Sequence, residues 1–277
     1  MHKIVVHPGS AHRDDFLSVC VLLATLGDAV VFRREPASAD IENPEIFVID
    51  AGMKYDPRKR NFDHHQDPAL PCAFHLIMQH LGYHEDAMLV YGWYPIMNMM
   101  DVGGPHKTAE TLGVDPSVLL ASSSPIDGYV LSRFSLVESL HEGDLFYKFM
   151  KEMGQALIGL IDRKKQRFEL LKREALIVDV KQFKAVVSRI ADEPKLSMEL
   201  FLRYLGDDRI VMCITPSVRC GGWEFLRLGD SRVVDFRAIA DRPEVGFVHA
   251  NGYVAATRDL LPWQEVIALA TASIVNE

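Results

Sequence analysis

The order of apolar runs in the first fifty residues constrains the fold more than any other feature of this chain. Ile4-Val5-Val6 is a β-branched run followed by the turn-like Pro8-Gly9-Ser10. From Phe16 to Leu26 apolar residues recur at helical spacing and stop at Gly27. Ala29 to Phe32 and Ile46 to Ile49 are two further strand-like runs, the second apolar throughout, as in a strand buried on both faces. Strand, helix, strand in this order implies an α/β fold with a parallel sheet and helices on its faces. Ligands of such sheets gather beyond the carboxyl ends of the strands, and His7 and Asp50 each lie just past one.

Downstream, the spacing predicts helices over Phe74 to Gly82 and Asp86 to Val102, then a single helix from Gly143 to about Ala175. Beyond it, strands are expected over Leu176 to Val180, Ala185 to Ile190 and Val245 to His249. A helix is expected over Ser197 to Leu205, a hairpin over Arg209 to Thr215 and Trp223 to Leu228, and a closing helix over Pro262 to Ile274. A chain of 277 residues accommodates two lobes. The expected division is 1–150 and 151–277, with the long helix joining a first lobe to a smaller α/β lobe.

A formal net charge of −8 argues against coating nucleic acid through an overall positive field, while leaving room for a local basic channel. Cys20, Cys72, Cys213 and Cys220 are scattered, without the C-x-x-C pairs of a zinc ribbon or dithiol site. The first residues enter a strand-like run without a signal peptide's apolar core, and no apolar stretch reaches bilayer length, so the expected location is cytoplasmic, with no membrane partner.

Four segments carry His and Asp in a way that packing alone does not favour. They are His7 to Asp15, which contains His12, Asp14 and Asp15; Val48-Ile49-Asp50; Asn61 to Gln66, which contains Asp63-His64-His65; and Asn98 to Gly104, where Asp101 sits among methionines and glycines. Each alone has an ordinary reading. Asp14 and Asp15 suit a helix N-terminus, paired histidines occur in loops, and Asp101 could pair locally. Together they offer six or seven imidazole and carboxylate ligands, a set that suits Mn²⁺, Mg²⁺, Fe²⁺, Co²⁺ or Zn²⁺. That is enough for two ions sharing a bridging Asp, the clamp used for in-line attack on phosphorus.

With these words in hand the chain resembles the DHH phosphoesterase superfamily, through Asp63-His64-His65. Within it, the chain is most similar to the branch represented by the melanocyte-proliferating gene product, a family of predicted metal-dependent hydrolases. The resemblance is carried by His7 to Asp15, Val48 to Pro57, Arg60 to Gln66 and Gly246 to Tyr253. It implies a DHH-type N-terminal lobe in which His7, His12 and Asp50 hold one ion. Asp14, Asp50, His64 and Asp101 would hold a second, with Asp50 bridging. It further implies that His65 faces the scissile phosphate as hydrogen-bond donor or proton source. His249, Asn251 and Gly252 would be substrate-facing, with Arg219 as a phosphate clamp.

The expected function is metal-dependent hydrolysis of a phosphate ester, with two ions, Mn²⁺ or Mg²⁺ foremost. The resemblance favours phosphodiester bonds in RNA or short oligonucleotides. A small-molecule phosphatase or pyrophosphatase on the same scaffold, and a catalytically silent metal-binding regulator, are the other readings. Arg58, Lys59 and Arg60 could guide a polyanion or form a solvated turn. Trp223, Tyr253 and Trp263 could stack bases or belong to the core. Arg227, Arg232, Arg237, Arg242 and Arg258 are further cations of the second lobe.

Overall fold

Alternating side chains make β1 (His2–Val6) a strand with two apolar faces: Ile4 and Val6 join one buried cluster and Val5 another. A computed structural model describes residues 2–122, 124–191, 196–229 and 231–275. It divides into two compact units, Met1–Asp162 and Arg163–Glu277.

In the first unit β1 leads through a loop to α1 (Arg13–Leu26). Asp15 secures the start of that helix by accepting a hydrogen bond from His12 N at 2.9 Å. Gly27, with φ of 76°, ends it. The chain continues through β2 (Ala29–Arg33), α2 (Ser38–Glu42), β3 (Ile46–Ile49), β4 (Tyr55–Asp56) and β5 (Asn61–Phe62). Helices α3 (Ala73–His80), α4 (His84–Val90), α5 (Trp93–Leu112), α6 (Pro116–Ala121) and α7 (Pro125–Ser135) follow, then β6 (Ser139–Leu140) and the start of α8 (Leu145–Glu174), whose residues from Arg163 onward belong to the second unit. The strand order is β4-β5-β3-β1-β2-β6. β1, β2, β3 and β5 run parallel, and the short edge strands β4 and β6 run antiparallel. The main core lies on the face bearing Ile4, Val6, Val31, Phe47, Ile49 and Phe62, against α1 and α3. α8 crosses α1 at Gly154, where a Cβ would stand 2.0 Å from the Cys20 carbonyl oxygen, so only glycine fits.

The single helix expected over Asp86 to Val102 is two. Tyr91 takes an extended backbone and α5 restarts at Trp93. α5 itself breaks at Gly104, whose φ of 73° is readily adopted only by glycine, and Pro105 opens its second half. Helices α6 and α7 were not foreseen. Each has proline in its first turn and a capping side chain before it, Asp115 and Ser124.

The second unit contains β7 (Leu176–Val180), β8 (Phe183–Val187), α9 (Leu196–Leu205), β9 (Ile210–Pro216) and β10 (Trp223–Arg227). It ends with a 3₁₀ turn (Phe236–Ile239), β11 (Val245–Val248), β12 (Val254–Thr257) and α10 (Trp263–Ala272). Its sheet has the order β11-β12-β10-β9-β8-β7, in which only β8 and β9 pair in parallel, across the α9 connection. Val187, Ile214 and Phe225 pack with Val266 on one side; Val186 and Cys213 pack with Met198 and Phe201 on the other. The α/β class read from the sequence is the class observed. Among the described residues no helix is long and apolar enough to cross a membrane.

Candidate metal centre

Strand register builds the site. Val6 pairs with Ile49 and Ile49 with Phe62, so the residues that follow, His7, Asp50 and Asp63, stand side by side at the carboxyl edge of the sheet. Neighbouring parallel strands are about 4.8 Å apart, close enough for side chains there to share one ion. The first turn of α1 brings Asp14 and Asp15 to the same edge, and α5 brings Asp101 one turn before its break at Gly104.

The distances confirm the convergence. His7 Nε2 lies 3.0 Å from Asp15 Oδ2 and 3.4 Å from Asp50 Oδ2. His64 Nε2 lies 3.3 Å from Asp50 Oδ1 and 3.2 Å from Asp101 Oδ2. Three overlapping sets have ligand atoms within 4.8 Å of one another: His7, His12 and Asp50; His12, Asp14 and Asp101; Asp50, His64 and His65. All six residues expected as ligands are therefore brought together, and His65, expected to face the phosphate, lies within the same reach. Asp50 has φ of 51°, an uncommon left-handed conformation for a residue other than glycine.

Asp63 braces the motif rather than facing the cluster. Its Oδ2 accepts from Met53 N at 2.7 Å, and its Oδ1 accepts from His65 N at 3.0 Å and from His65 Nδ1 at 2.8 Å.

The electrostatics call for a cation. His7 Nδ1 lies 2.8 Å from the Pro8 carbonyl, which can only accept, so Nδ1 carries the proton and Nε2 turns toward two carboxylates. Asp15 chiefly pushes the His7 pKa up, against the opposing effect of burial. Burial pushes the Asp14 carboxyl well above the ordinary range, and the charges of Asp50, Asp101 and Asp15 add to it. Asp101 is raised by burial first and by Asp50, with His64 opposing. Burial also acts to raise Asp50, but His64, His7 and His65 together hold it below the ordinary value. Without a cation such a cluster holds on to protons; a divalent ion removes the repulsion. Buried Asp14 Oδ1 has no hydrogen-bond partner among the described residues, and His7 Nε2 and Asp50 Oδ1 face only other His and Asp side chains of the cluster, as expected of atoms that would share a metal. The donor set fits the group that it would hold.

The second unit places the other expected residues at two separate locations. His249, Asn251 and Gly252 form the β11–β12 turn, where Asn251 N donates to His249 Nδ1 at 3.1 Å and Tyr253 Oη lies 3.0 Å from His249 Nε2. Gly252 has φ of 68°, and a Cβ there would stand 2.1 Å from Asp235 Oδ1. Arg219 is exposed in the β9–β10 turn, beside the opposite end of β12, where Cys220 Sγ lies 3.6 Å from the Thr257 carbonyl. Arg219 and His249 thus lie at opposite ends of β12. Arg237 is paired with Asp235, Trp223 is core and donates to the Leu261 carbonyl, and Lys59 is paired with Glu42.

Sequence reading missed Arg33. It follows a strand-like run and reads as a surface cation. The structure buries it against Phe134 and beside Asp15, contacts that no local pattern reports.

The α/β fold thus gathers a group of His and Asp side chains at the carboxyl edge of its parallel sheet, a donor set suited to divalent ions. Residues 3–72 match the family model MYG1_exonuc, described as an uncharacterised protein family (UPF0160), and the resemblance read from the sequence is shown over that segment. No protein with a curated description matches the chain. Among solved structures, it is similar to an uncharacterized protein from Helicobacter pylori G27, at 11% identity and a TM-score of 0.28, covering 98% of this chain and 99% of that one. It is similar to RecJ from Thermus thermophilus in complex with Mn²⁺, at 15% identity and a TM-score of 0.33, covering 98% of this chain and 51% of that one. The chain thus spans about half the length of that RecJ. An exopolyphosphatase-related protein from Bacteroides fragilis matches at 8% identity and a TM-score of 0.26, covering 97% and 90% of the two chains.

Proposed function

We propose that this chain is a metal-dependent phosphoesterase that hydrolyses phosphodiester bonds in RNA or short oligonucleotides with two divalent ions, Mn²⁺ or Mg²⁺. The observation that carries this reading is the convergence of His7, His12, Asp14, Asp50, His64 and Asp101, with ligand atoms in overlapping sets within 4.8 Å of one another, at one edge of a parallel sheet. His7, His12 and Asp50 would hold one ion, and Asp14, Asp50, His64 and Asp101 the other. Bound divalent ions supply Lewis acidity and positive charge where a phosphate ester gains negative charge.

The remaining chemistry belongs to the chain. Asp50, at a strand end with both oxygens turned toward histidines, would contribute to both ligand sets. Asp63 accepts from His65 Nδ1, so the proton that His65 can pass to a leaving oxygen is the one on Nε2. The His65 side chain is 53% exposed, which leaves it accessible to a substrate while its Nδ1 edge stays fixed. The first unit is the catalytic candidate, and the β11–β12 turn with His249, Asn251 and Gly252 is the candidate substrate-facing segment of the second.

The test is turnover of bis-para-nitrophenyl phosphate and of a short RNA by the full chain with Mn²⁺, with and without chelator. Metal-dependent release on both substrates supports the reading. Turnover of pyrophosphate or phosphomonoesters alone moves the assignment to a small-molecule phosphatase. Metal binding without turnover of any ester favours the silent regulator.

A further inference from the structure

We propose that Arg33, acting through Asp15, positions the loop bearing His7 and His12, and that this clamp makes the two metal positions unequal. The inference rests on the metal-centre reading above. Arg33 ends β2 with its side chain only 1% exposed, and the carboxylate beside it, Asp15, is fully buried. Its Nη1 lies 3.3 Å from Asp15 Oδ2, and its Nη2 donates to the carbonyls of Gly9 at 3.1 Å and Ser10 at 3.5 Å. The guanidinium lies over the Phe134 ring, 4.3 Å from its centroid, which fixes its plane.

Asp15 in turn has both oxygens committed. Oδ1 accepts from His12 N, and Oδ2 faces His7 Nε2 as well as Arg33. Asp15, although fully buried beside the cluster, belongs to none of the three ligand sets. It serves as a bracket between the guanidinium and two histidines.

The loop needs such a bracket. Pro8, Gly9 and Ser10 are exposed and contribute nothing to the apolar clusters, and Gly9 has φ of 85°. What ties the loop down is Arg33 on its carbonyls, Asp15 on the His12 amide and Ala11 against the main core. Asp14, His64 and Asp101 are carried by α1, the end of β5 and α5, and Arg33 makes no hydrogen bond to any of them among the described residues. Loss of Arg33 therefore loosens His7 and His12, two of the three ligands proposed for the first ion, while Asp14, Asp50, His64 and Asp101, proposed for the second, stay on segments it does not hold.

The experiment is calorimetric titration of the full-length chain with Mn²⁺, read beside the thermal midpoint of the metal-free protein. Wild type is expected to take up two ions. Arg33→Met is expected to weaken one of them about 10–100-fold, the range for loss of an outer partner of a ligand, and to leave the other within about twofold. The double variant Arg33→Met/Asp15→Asn removes the buried carboxylate left unpaired, so it regains thermal stability without regaining the affinity. Wild-type affinity in the double variant, or equal weakening of both ions, overturns the proposal and reduces Arg33 to a structural brace. Should Arg33→Met fail to fold, Arg33→Lys decides. It keeps the charge but loses the fork, and unchanged binding of both ions overturns the proposal. A wild-type chain that binds no divalent ion rejects the metal centre itself, a separate result.

Discussion

His64 Nε2 stands 3.2 Å from Asp101 Oδ2, an imidazole from the end of a two-residue strand meeting a carboxylate from a helix broken three residues later. The same nitrogen is 3.3 Å from Asp50 Oδ1, so one ring is shared between two acids that otherwise repel. Replacing it removes a proposed ligand but little packing. His64→Ala is expected to lower metal-dependent turnover by at least about 100-fold, the scale of losing one charge-stabilising group. Its far-ultraviolet circular dichroism should remain that of wild type. Full activity in this variant would remove His64 from the ligand set.

Asp14 supplies a second test, in which stability and function move in opposite directions. Its Oδ1 is buried without a hydrogen-bond partner among the described residues, while Oδ2 accepts weakly from Ala73 N at 3.3 Å. Neutralising it should raise the thermal midpoint of the metal-free protein, because burial and three neighbouring carboxylates oppose its charge. Asp14→Asn should also lose most of the midpoint increase that saturating Mn²⁺ gives wild type. A variant less stable without metal, yet stabilised by Mn²⁺ as fully as wild type, contradicts this account.

The parts of the site written in the chain as apolar runs ending in His or Asp were legible: β1 into His7, β3 into Asp50, and the capped start of α1. Two parts were not. The strand before Asp63 is only Asn61–Phe62, too short for any alternation, and it exists because Asp50 N donates to the Phe62 carbonyl at 3.0 Å and Val48 N to the Arg60 carbonyl at 2.9 Å. Arg33 is buried by a helix about a hundred residues further along the chain. In the second unit, the separation of Arg219 from His249 depends on β10 and β12 pairing antiparallel, which puts the β9–β10 and β11–β12 turns at opposite ends of β12, and the spacing of residues along the chain carries no trace of it.

Gly154 tests the packing that holds α1 in place. A Cβ there would lie 2.0 Å from the Cys20 carbonyl oxygen and 2.5 Å from its carbon, backbone atoms that move only if the helix does. Gly154→Ala should destabilise the protein by about 2 kcal/mol or more, the reverse of the usual gain from alanine in a helix. Urea unfolding measures it. Because α1 carries His12 and Asp14, Mn²⁺ affinity should weaken as well. A neutral or stabilising effect would mean that α8 does not approach α1 closely at this point.

His75 makes a prediction about acid stability that is independent of the metal. It is buried in α3, with its ring stacked on Tyr94 at a centroid distance of 3.7 Å and its Nε2 3.0 Å from the Tyr94 carbonyl. A carbonyl only accepts, so Nε2 carries the proton of the neutral ring. Burial lowers the pKa to about 4 from an ordinary 6.5; the Tyr94 carbonyl opposes that shift and His84 adds to it. The unfolded chain therefore binds a proton between these values that the folded chain refuses. The His75 contribution is intact above about pH 6.5 and is lost as pH falls toward 4, with a slope below about 1.4 kcal/mol per pH unit. His75→Leu should be less stable at pH 7, having lost the bond to Tyr94, and the deficit should narrow steadily in urea midpoints taken at pH 7, 6 and 5. A deficit that stays constant across those three values would show that His75 takes up its proton equally in both states.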